Sequence, residues 1–225
     1  MTTTHPLDRP VWNALTTRQA SLAVGNARAL RFRPEINLFA AAADPGDAEA
    51  ISALLPETGA IGLVEAGETP PIPGARIRKR AVVNQMVAER SPGVAEGFDY
   101  LVLGDADAAE MLALATLTEP GPFFSETHRM GHFIGLRERG RLVAMAGQRM
   151  RVPGFTEVSG VCTHPDSRGR GYAGKLMRVL IERIVGEGDA AFLHVYPDNF
   201  GAIGLYETLG FRFRAQLTFT VLSRA

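Results

Sequence analysis

The clearest pattern of apolar and polar positions lies between residues 155 and 222. Residues 155–163 form a strand that stops at Pro165, and residues 172–185 follow as a helix. In that helix Ala173, Leu176, Met177, Leu180 and Ile184 share one face at the 3.6-residue period, with Arg178, Glu182 and Arg183 largely elsewhere. Residues 191–196 read as a strand stopped by Pro197-Asp198. Residues 199–209 read as a helix closed by Gly210, and residues 211–222 as one or two final strands. Upstream, residues 133–136 and 142–150 predict a hairpin around Glu138-Arg139-Gly140-Arg141. Asp107 and Glu110 have the spacing of a capping box before a helix with Met111, Leu112, Leu114, Ala115 and Leu117. Pro120-Gly121-Pro122 ends it, and residues 100–103 precede it as a short strand.

The first hundred residues are more broken. Residues 11–19 predict a helix with Pro10 at its start. Residues 29–32, 37–42 and 60–65 predict strands, and Asp44-Pro45-Gly46-Asp47 a turn into a short helix through Leu54. Residues 81–88 fit a strand or a short helix. Ser91-Pro92-Gly93 punctuates the chain, so a boundary is expected near residue 95. Residues 1–95 then form a smaller α/β region, and residues 96–225 a second module. No internal repeat or low-complexity segment stands out.

The passage from strand to helix carries the first chemistry. Arg168, Gly169, Arg170, Gly171, Tyr172, Ala173 and Gly174 form a glycine-rich turn that opens directly into a helix. Glycines let the backbone approach a ligand, and the N–H groups of such a turn, helped by the positive end of the helix, gather around an anion. Arg168, Arg170, Lys175 and Arg178 add local positive charge. A P-loop needs a Gly-Lys-Ser/Thr that is missing, and a dinucleotide fold needs a glycine triplet with a downstream acid. A nucleotide-phosphate enzyme using the same turn stays open on these residues, as does a plain tight turn with solvated arginines.

Composition narrows the classes. Lys plus Arg equals Asp plus Glu, 24 against 24, so no global charge draws the chain to nucleic acid or an anionic membrane. Cys162 is the only cysteine, which rules out an intrachain disulfide and any cysteine-built zinc site. No metal is expected. The N-terminal residues lack the basic and apolar regions of a signal peptide, and no apolar run reaches the ~20 residues of a membrane helix. The expected location is the cytoplasm.

A second motif follows the turn by about thirty residues: Asn199, Ala202, Tyr206, Gly210 and Phe211 in the pattern Asn-x-x-Ala-x-x-x-Tyr-x-x-x-Gly-Phe. With Arg168, Gly171 and Ala173 as Arg-x-x-Gly-x-Ala, the pair resembles the GNAT superfamily of acyl-CoA-dependent N-acetyltransferases. The resemblance covers roughly residue 98 to the C-terminus and is motif-dense over residues 157–211. It implies an α/β (α+β) fold with a mixed, mostly antiparallel sheet, flanking helices and a splayed parallel pair at residues 157–163 and 191–196. It also allows that residues 1–95 are a degenerate second copy of that fold.

The resemblance implies acetyl-CoA as co-substrate and direct transfer of the acetyl group to a primary amine in a ternary complex. The glycine turn would hold the pyrophosphate. Asn199, Ala202 and Tyr206 share one helix face, and Asn199 would either bond the pantetheine arm or cap its helix. Tyr206 matches the family tyrosine that protonates the departing thiolate; otherwise it is a packed aromatic. The backbone of Val161, Cys162 and Thr163 would pair with pantetheine, and an N–H there would polarise the thioester carbonyl. Glu157 stands in the register of a catalytic glutamate. Flanked by Phe155 and Val158, its pKa is expected to rise by desolvation, making it the base for the amine; a strand-end carboxylate is the alternative. A non-catalytic acyl-CoA-binding or regulatory module is the other reading of the whole. The acceptor is left open, as is the choice between monomer and homodimer.

Lesser candidates remain. His128 and His132 are four apart, but Gly131 disfavours a shared helix face; they are expected at most to line the acceptor pocket. Phe123, Phe124 and Met130 would shape that pocket or pack the core. Arg76-Ile77-Arg78-Lys79-Arg80 fits a solvated strand better than a partner site. Cys162 fits a small buried hydrophobe better than an acyl-carrying nucleophile.

Overall fold

Pro10 fixes φ at the first turn of helix α1 (Pro10–Thr16), whose Val11, Ala14 and Leu15 are buried. The computed structural model describes residues 5–94 and 97–225. After α1 come β1 (Ala23–Gly25), β2 (Ala29–Phe32) and β3 (Ala40–Ala42), a three-stranded antiparallel sheet in that order. Helix α2 (Ala48–Ser52) is capped by Asp47, whose carboxylate accepts from the Ala50 N–H at 3.0 Å. Then β4 (Ile61–Glu65) and the 14-residue β5 (Ala75–Ala88) enter a larger sheet.

The later elements are β6 (Leu101–Leu103), α3 (Ala108–Thr118), β7 (Phe133–Glu138), β8 (Arg141–Val152), β9 (Phe155–Thr163), α4 (Tyr172–Gly186), β10 (Ala190–Val195), α5 (Phe200–Thr208) and β11 (Arg212–Arg224). The large sheet runs β4-β11-β5-β10-β9-β8-β7-β6. Every pairing in it is antiparallel except β9 with β10. The mixed, mostly antiparallel sheet with one parallel pair is therefore present.

The two faces of this sheet have different cores. Ala191, Leu193 and Val195 of β10 face Leu176, Met177 and Leu180 of α4, with Leu209 and Phe211 beside them. Phe192 points the other way, into a core of Leu7, Val11, Leu15, Phe32, Ile36 and Phe39 from the first part of the chain. Strand alternation sorts these residues, because successive side chains point to opposite faces. The first part of the chain thus covers one face and also supplies β4 and β5 to the sheet. The boundary expected near residue 95 lies outside the described residues.

Two expectations need correction, at residues 37–42 and at Asp107, while the strand alternative at 81–88, the solvated strand at 76–80 and a single final strand are as expected. The strand expected at residues 37–42 shrinks to Ala40–Ala42. Asn37 turns its side-chain oxygen to the Phe39 N–H at 3.3 Å, and Phe39 makes a lone parallel bridge to Gly62. A Cβ on Gly62 would sit 2.0 Å from Leu38 Cδ1 and 3.0 Å from Phe219 Cε2, so a larger residue at that crossing would force the Leu38 side chain to move. Residues 81–88 are the inner half of β5; the basic run 76–80 is its exposed outer half, paired with β11 through Ala75 opposite Arg224. Asp107 does not cap α3. Its carboxylate accepts from the Gly104 N–H at 3.0 Å and from Arg137 at 2.7 Å, and Glu110 also pairs with Arg137. The chain ends in one long strand, β11.

Candidate active site

The site begins where the parallel pair comes apart. β9 and β10 match Ala190 to Phe155, Ala191 to Thr156 and Phe192 to Glu157, and the pairing stops there. Beyond it β9 stays with β8 through Thr163 opposite Ala144, and β10 stays with β5 through Val195 opposite Asn84. A wedge therefore opens between Val158–Thr163 and Leu193–Val195, with α4 and α5 on one side.

Gly169 and Gly171 have φ of 76° and 73°, the left-handed region where glycine is free and other residues are strained. A Cβ at either would meet nothing within 4 Å, so their conformation and not crowding calls for glycine. The turn borders a cavity of about 410 Å³ lined by Val161, Cys162, Thr163 and every residue from Ser167 to Gly174. Arg168, Gly169, Arg170, Gly171, Tyr172, Ala173 and Gly174 are thus together with Val161, Cys162 and Thr163. The cationic side chains divide. Arg170 and the Tyr172 hydroxyl both bond Glu138, at 2.7 and 2.5 Å, and Arg178 bonds the Pro92 carbonyl at 2.8 Å. Lys175 lies over the Phe98 ring at 5.6 Å.

A second cavity of about 890 Å³ shares Thr118, Val161, Ala173 and Leu205 with the first. Asn199, Ala202 and Tyr206 line it. The Asn199 side chain caps α5, accepting from the Ala202 N–H at 3.2 Å, so the capping alternative is the one observed. Tyr206 stands edge-on to Phe211 with ring centroids 6.0 Å apart, and burial raises its phenol pKa above the usual value. The far wall comes from the first part of the chain: Leu38, Phe39, Val64, Lys79 and Val83. Phe123 lines the cavity, whereas His128, His132, Phe124 and Met130 do not. His128 instead bonds Asp105 at 2.7 Å, and Met130 packs in the core.

Glu157 corrects an expectation. It is fully buried. Burial pushes its carboxyl upward, but the Arg149 charge and hydrogen bonds, with a bond from His194, outweigh that and hold the pKa down to about 2. Arg149 Nε donates to Oε2 at 2.8 Å and Nη2 to Oε1 at 2.7 Å, and His194 Nδ1 lies 2.8 Å from Oε1. The row continues across the sheet. Gln85 Oε1 accepts from Arg214 Nη1 at 2.8 Å, which turns its Nε2 to the Leu7 carbonyl at 3.0 Å and to His194 Nε2 at 3.1 Å. With Nε2 accepting, the His194 proton sits on Nδ1 and is donated to Glu157.

Arg149, His194 and Gln85 escaped the sequence reading. His194 carries a signal as the one polar residue in the apolar run Ala190–Val195, whereas Arg149 beside Gln148 and Gln85 beside Asn84 do not stand out. Cys162 is buried against Leu103, Met111 and Leu114, and burial pushes its thiol up to about 11. That environment suits an inert thiol.

A mixed sheet split at one parallel pair, with a glycine turn at its mouth and a tyrosine helix opposite, defines an acyltransferase class of fold. The comparisons agree. Residues 133–220 match the family model described as FR47-like protein. A solved structure from Novosphingobium aromaticivorans DSM 12444, named as an acetyltransferase of the GNAT family, is 45% identical; the match covers 99% of this chain and 100% of that one, with a TM-score of 0.92. The chain belongs to the GNAT family of acetyltransferases. A GCN5-related N-acetyltransferase from Kribbella flavida shares the fold at 20% identity and a TM-score of 0.56, over 95% of this chain and 91% of that one. The N-alpha-acetyltransferase RimI of Mycobacterium tuberculosis (strain ATCC 25618 / H37Rv) is 37% identical over 84 residues, 36% of this chain. That match spans about half, 52%, of the curated relative. Among the described residues no helix is long and apolar enough to cross a membrane.

Proposed function

We propose that this protein transfers an acetyl group from acetyl-CoA to the free amine of an acceptor bound in the same cavity. The observation that carries this reading is continuity: the glycine-turn cavity and the Tyr206 cavity share a wall at Val161, Ala173 and Leu205. A diphosphate held by the N–H groups of residues 169–174, the Arg168 N–H being spent on the Pro165 carbonyl at 3.3 Å, would direct the rest of the cofactor along Val161–Thr163 towards Tyr206. The open space at Gly169 and Gly171 fits that role.

The chain's own groups then divide the work. Holding both reactants in one chamber removes much of the entropic barrier. A backbone N–H near Cys162 receives the charge that develops on the acyl oxygen. Tyr206, kept protonated by burial, donates its proton to the leaving sulfur. Glu157 is a poor proton acceptor while Arg149 and His194 hold it, so the acceptor enters as the neutral amine. Glu157 is the anchor that fixes Arg149 at the cavity wall. The test is release of free CoA from acetyl-CoA across a chemically diverse amine library, with acetyl-CoA affinity measured separately by calorimetry. Tight acetyl-CoA binding with no acetylated amine would favour a binding module instead. Failure of acetyl-CoA to bind would remove the reading altogether.

A further inference from the structure

β5 is paired unequally on its two sides. β11 follows it from Ala75 to Val87, whereas β10 matches only Asn84 to Ala88 and ends at Val195. Among the described residues, the β10-side edge of residues 75–83 therefore faces no strand. It is the place a longer β10 would occupy, and it runs up to the Tyr206 cavity, whose lining includes Lys79 and Val83. Lysines and arginines often guard such an edge against chance pairing. Three features set this one apart. It is long, whereas the outermost strands β4 and β6 have five and three residues. Ile77 and Val82 are 52% and 46% exposed along it, apolar residues that a purely guarded edge has no use for. Its four cations, Arg76, Arg78, Lys79 and Arg80, have no carboxylate partner among the described residues. Arg76 bonds Ser223 Oγ at 3.3 Å, Lys79 the Tyr196 hydroxyl at 2.9 Å and Arg80 the Thr69 carbonyl at 3.4 Å.

An unpaired strand edge can hold an extended chain through main-chain hydrogen bonds, with alternate side chains on each face. We infer that the acceptor is a polypeptide N-terminus whose following residues, rich in Asp and Glu, lie as an added strand along Arg76–Val83. This rests on the acetyltransferase reading and names its acceptor class. The cavity sets the direction. Val83 is the inner end of the open edge and Arg76 the exposed outer end. A chain with its amine in the cavity thus runs outward, antiparallel to β5. Its first residues lie in the cavity, and its later carboxylates meet the four cations. Alternate side chains of the added strand also cover Ile77 and Val82. A second copy of this chain would set like charges edge to edge, which destabilises pairing.

The probe is a peptide of about ten residues, with a free N-terminus and alternating valine and glutamate. It is compared with its valine–lysine counterpart and with two copies N-methylated at odd or at even residues, only one of which loses the donors that face β5. Binding to the CoA-saturated protein is read by calorimetry, independently of turnover, and acetylation by CoA release. The acidic peptide is expected to bind about 10- to 100-fold tighter than the lysine peptide, and one N-methylated copy to lose about 10-fold while the other does not. Alternate amides of residues 76–83 are expected to exchange hydrogen more slowly in the complex. Arg76→Glu with Arg78→Glu, at exposed positions, is expected to reverse the charge preference and leave acetyl-CoA affinity unchanged. Equal binding of both charges, equal binding of both N-methylated copies, or no peptide binding would overturn the inference, as would a dimer in solution protected at these same amides. If simple amines are still acetylated in those cases, the docking edge falls alone and acetyl transfer stands. An acidic peptide that binds while no amine is acetylated would overturn the transferase reading on which the inference rests.

Discussion

Arg149 grips Glu157 edge to edge, with Nε 2.8 Å from Oε2 and Nη2 2.7 Å from Oε1, in a place where the carboxylate has no contact with solvent. Such a pair adds to stability only while the acid is ionised. Its folded pKa is about 2 against an ordinary value of 4.5. A depressed carboxyl pKa stabilises the fold fully above the unfolded value and loses that contribution as pH falls through the folded value. The window is therefore about pH 4.5 down to pH 2, and the shift corresponds to roughly 3 kcal/mol. Urea unfolding at steps through that window is expected to show the midpoint falling with pH. Glu157→Gln should be less stable at pH 7 and should flatten this dependence; a parallel decline in the variant would assign the acid sensitivity to other carboxylates.

The same pair decides what Glu157 does in turnover. A carboxylate with a pKa of about 2 takes a proton reluctantly at neutral pH. As an anchor for Arg149 it matters mainly for where the acceptor sits. Glu157→Gln is expected to raise the acceptor KM and to keep the acidic limb of the kcat/KM profile, which reports the acceptor amine losing its own proton. If Glu157 were the base, the limb would vanish and kcat would drop about 10²- to 10⁴-fold. A pH–rate profile of the variant separates the two outcomes.

Tyr206 has a raised phenol pKa from burial and lines the cavity without serving as a cap or an ion-pair partner. Tyr206→Phe keeps the ring that packs on Phe211 and removes only the hydroxyl. Turnover is expected to fall about 10²-fold, the lower range for loss of a general acid. Calorimetry should show acetyl-CoA binding within a few-fold of the parent. Unchanged turnover would return Tyr206 to a packing role.

What the sequence made legible follows from local physics. The glycine turn, the α4 periodicity and the Asn199 cap depend on neighbouring residues only, and each appears where those residues predict it. The Arg149–Glu157–His194–Gln85 row was hidden because it is lateral. Its members come from four strands and meet only after β8, β9, β10 and β5 are set side by side. The desolvation expected at Glu157 was real, but its sign as a pKa shift was reversed by a partner eight residues away in sequence. The outer half of β5 was hard to read for a different reason. It is solvated, so it carries no hydrophobic alternation, and its pairing is fixed by β11 over a hundred residues later.

Gly171 opens α4 with φ 73° and ψ 12°. An alanine there would meet no neighbour within 4 Å, so any effect comes from the backbone. Holding an L-residue in the left-handed region costs about 1–2 kcal/mol. Gly171→Ala either carries that strain or relaxes the turn, and relaxation would shift the backbone that lines the cavity. The expected result is a small loss of stability and an acetyl-CoA Kd raised about 10-fold, with acceptor KM little changed. Equal acetyl-CoA affinity in parent and variant would mean that the turn does not hold the cofactor.

Cys162 offers a check on the direct-transfer route. Its side chain packs with Leu103, Met111 and Leu114, and burial lifts its thiol to about 11. At pH 8 only about one thiol in a thousand is then ionised, and the thiolate is the reactive form. Iodoacetamide should label the folded protein far more slowly than the protein in urea, read by intact mass. Cys162→Ala should retain most activity and cost about 1–2 kcal/mol, because it removes one buried sulfur. An acyl-enzyme would require this thiol, so a variant with no turnover but native acetyl-CoA affinity, or an acetylated peptide containing Cys162 after mixing with acetyl-CoA, would replace direct attack with a two-step route.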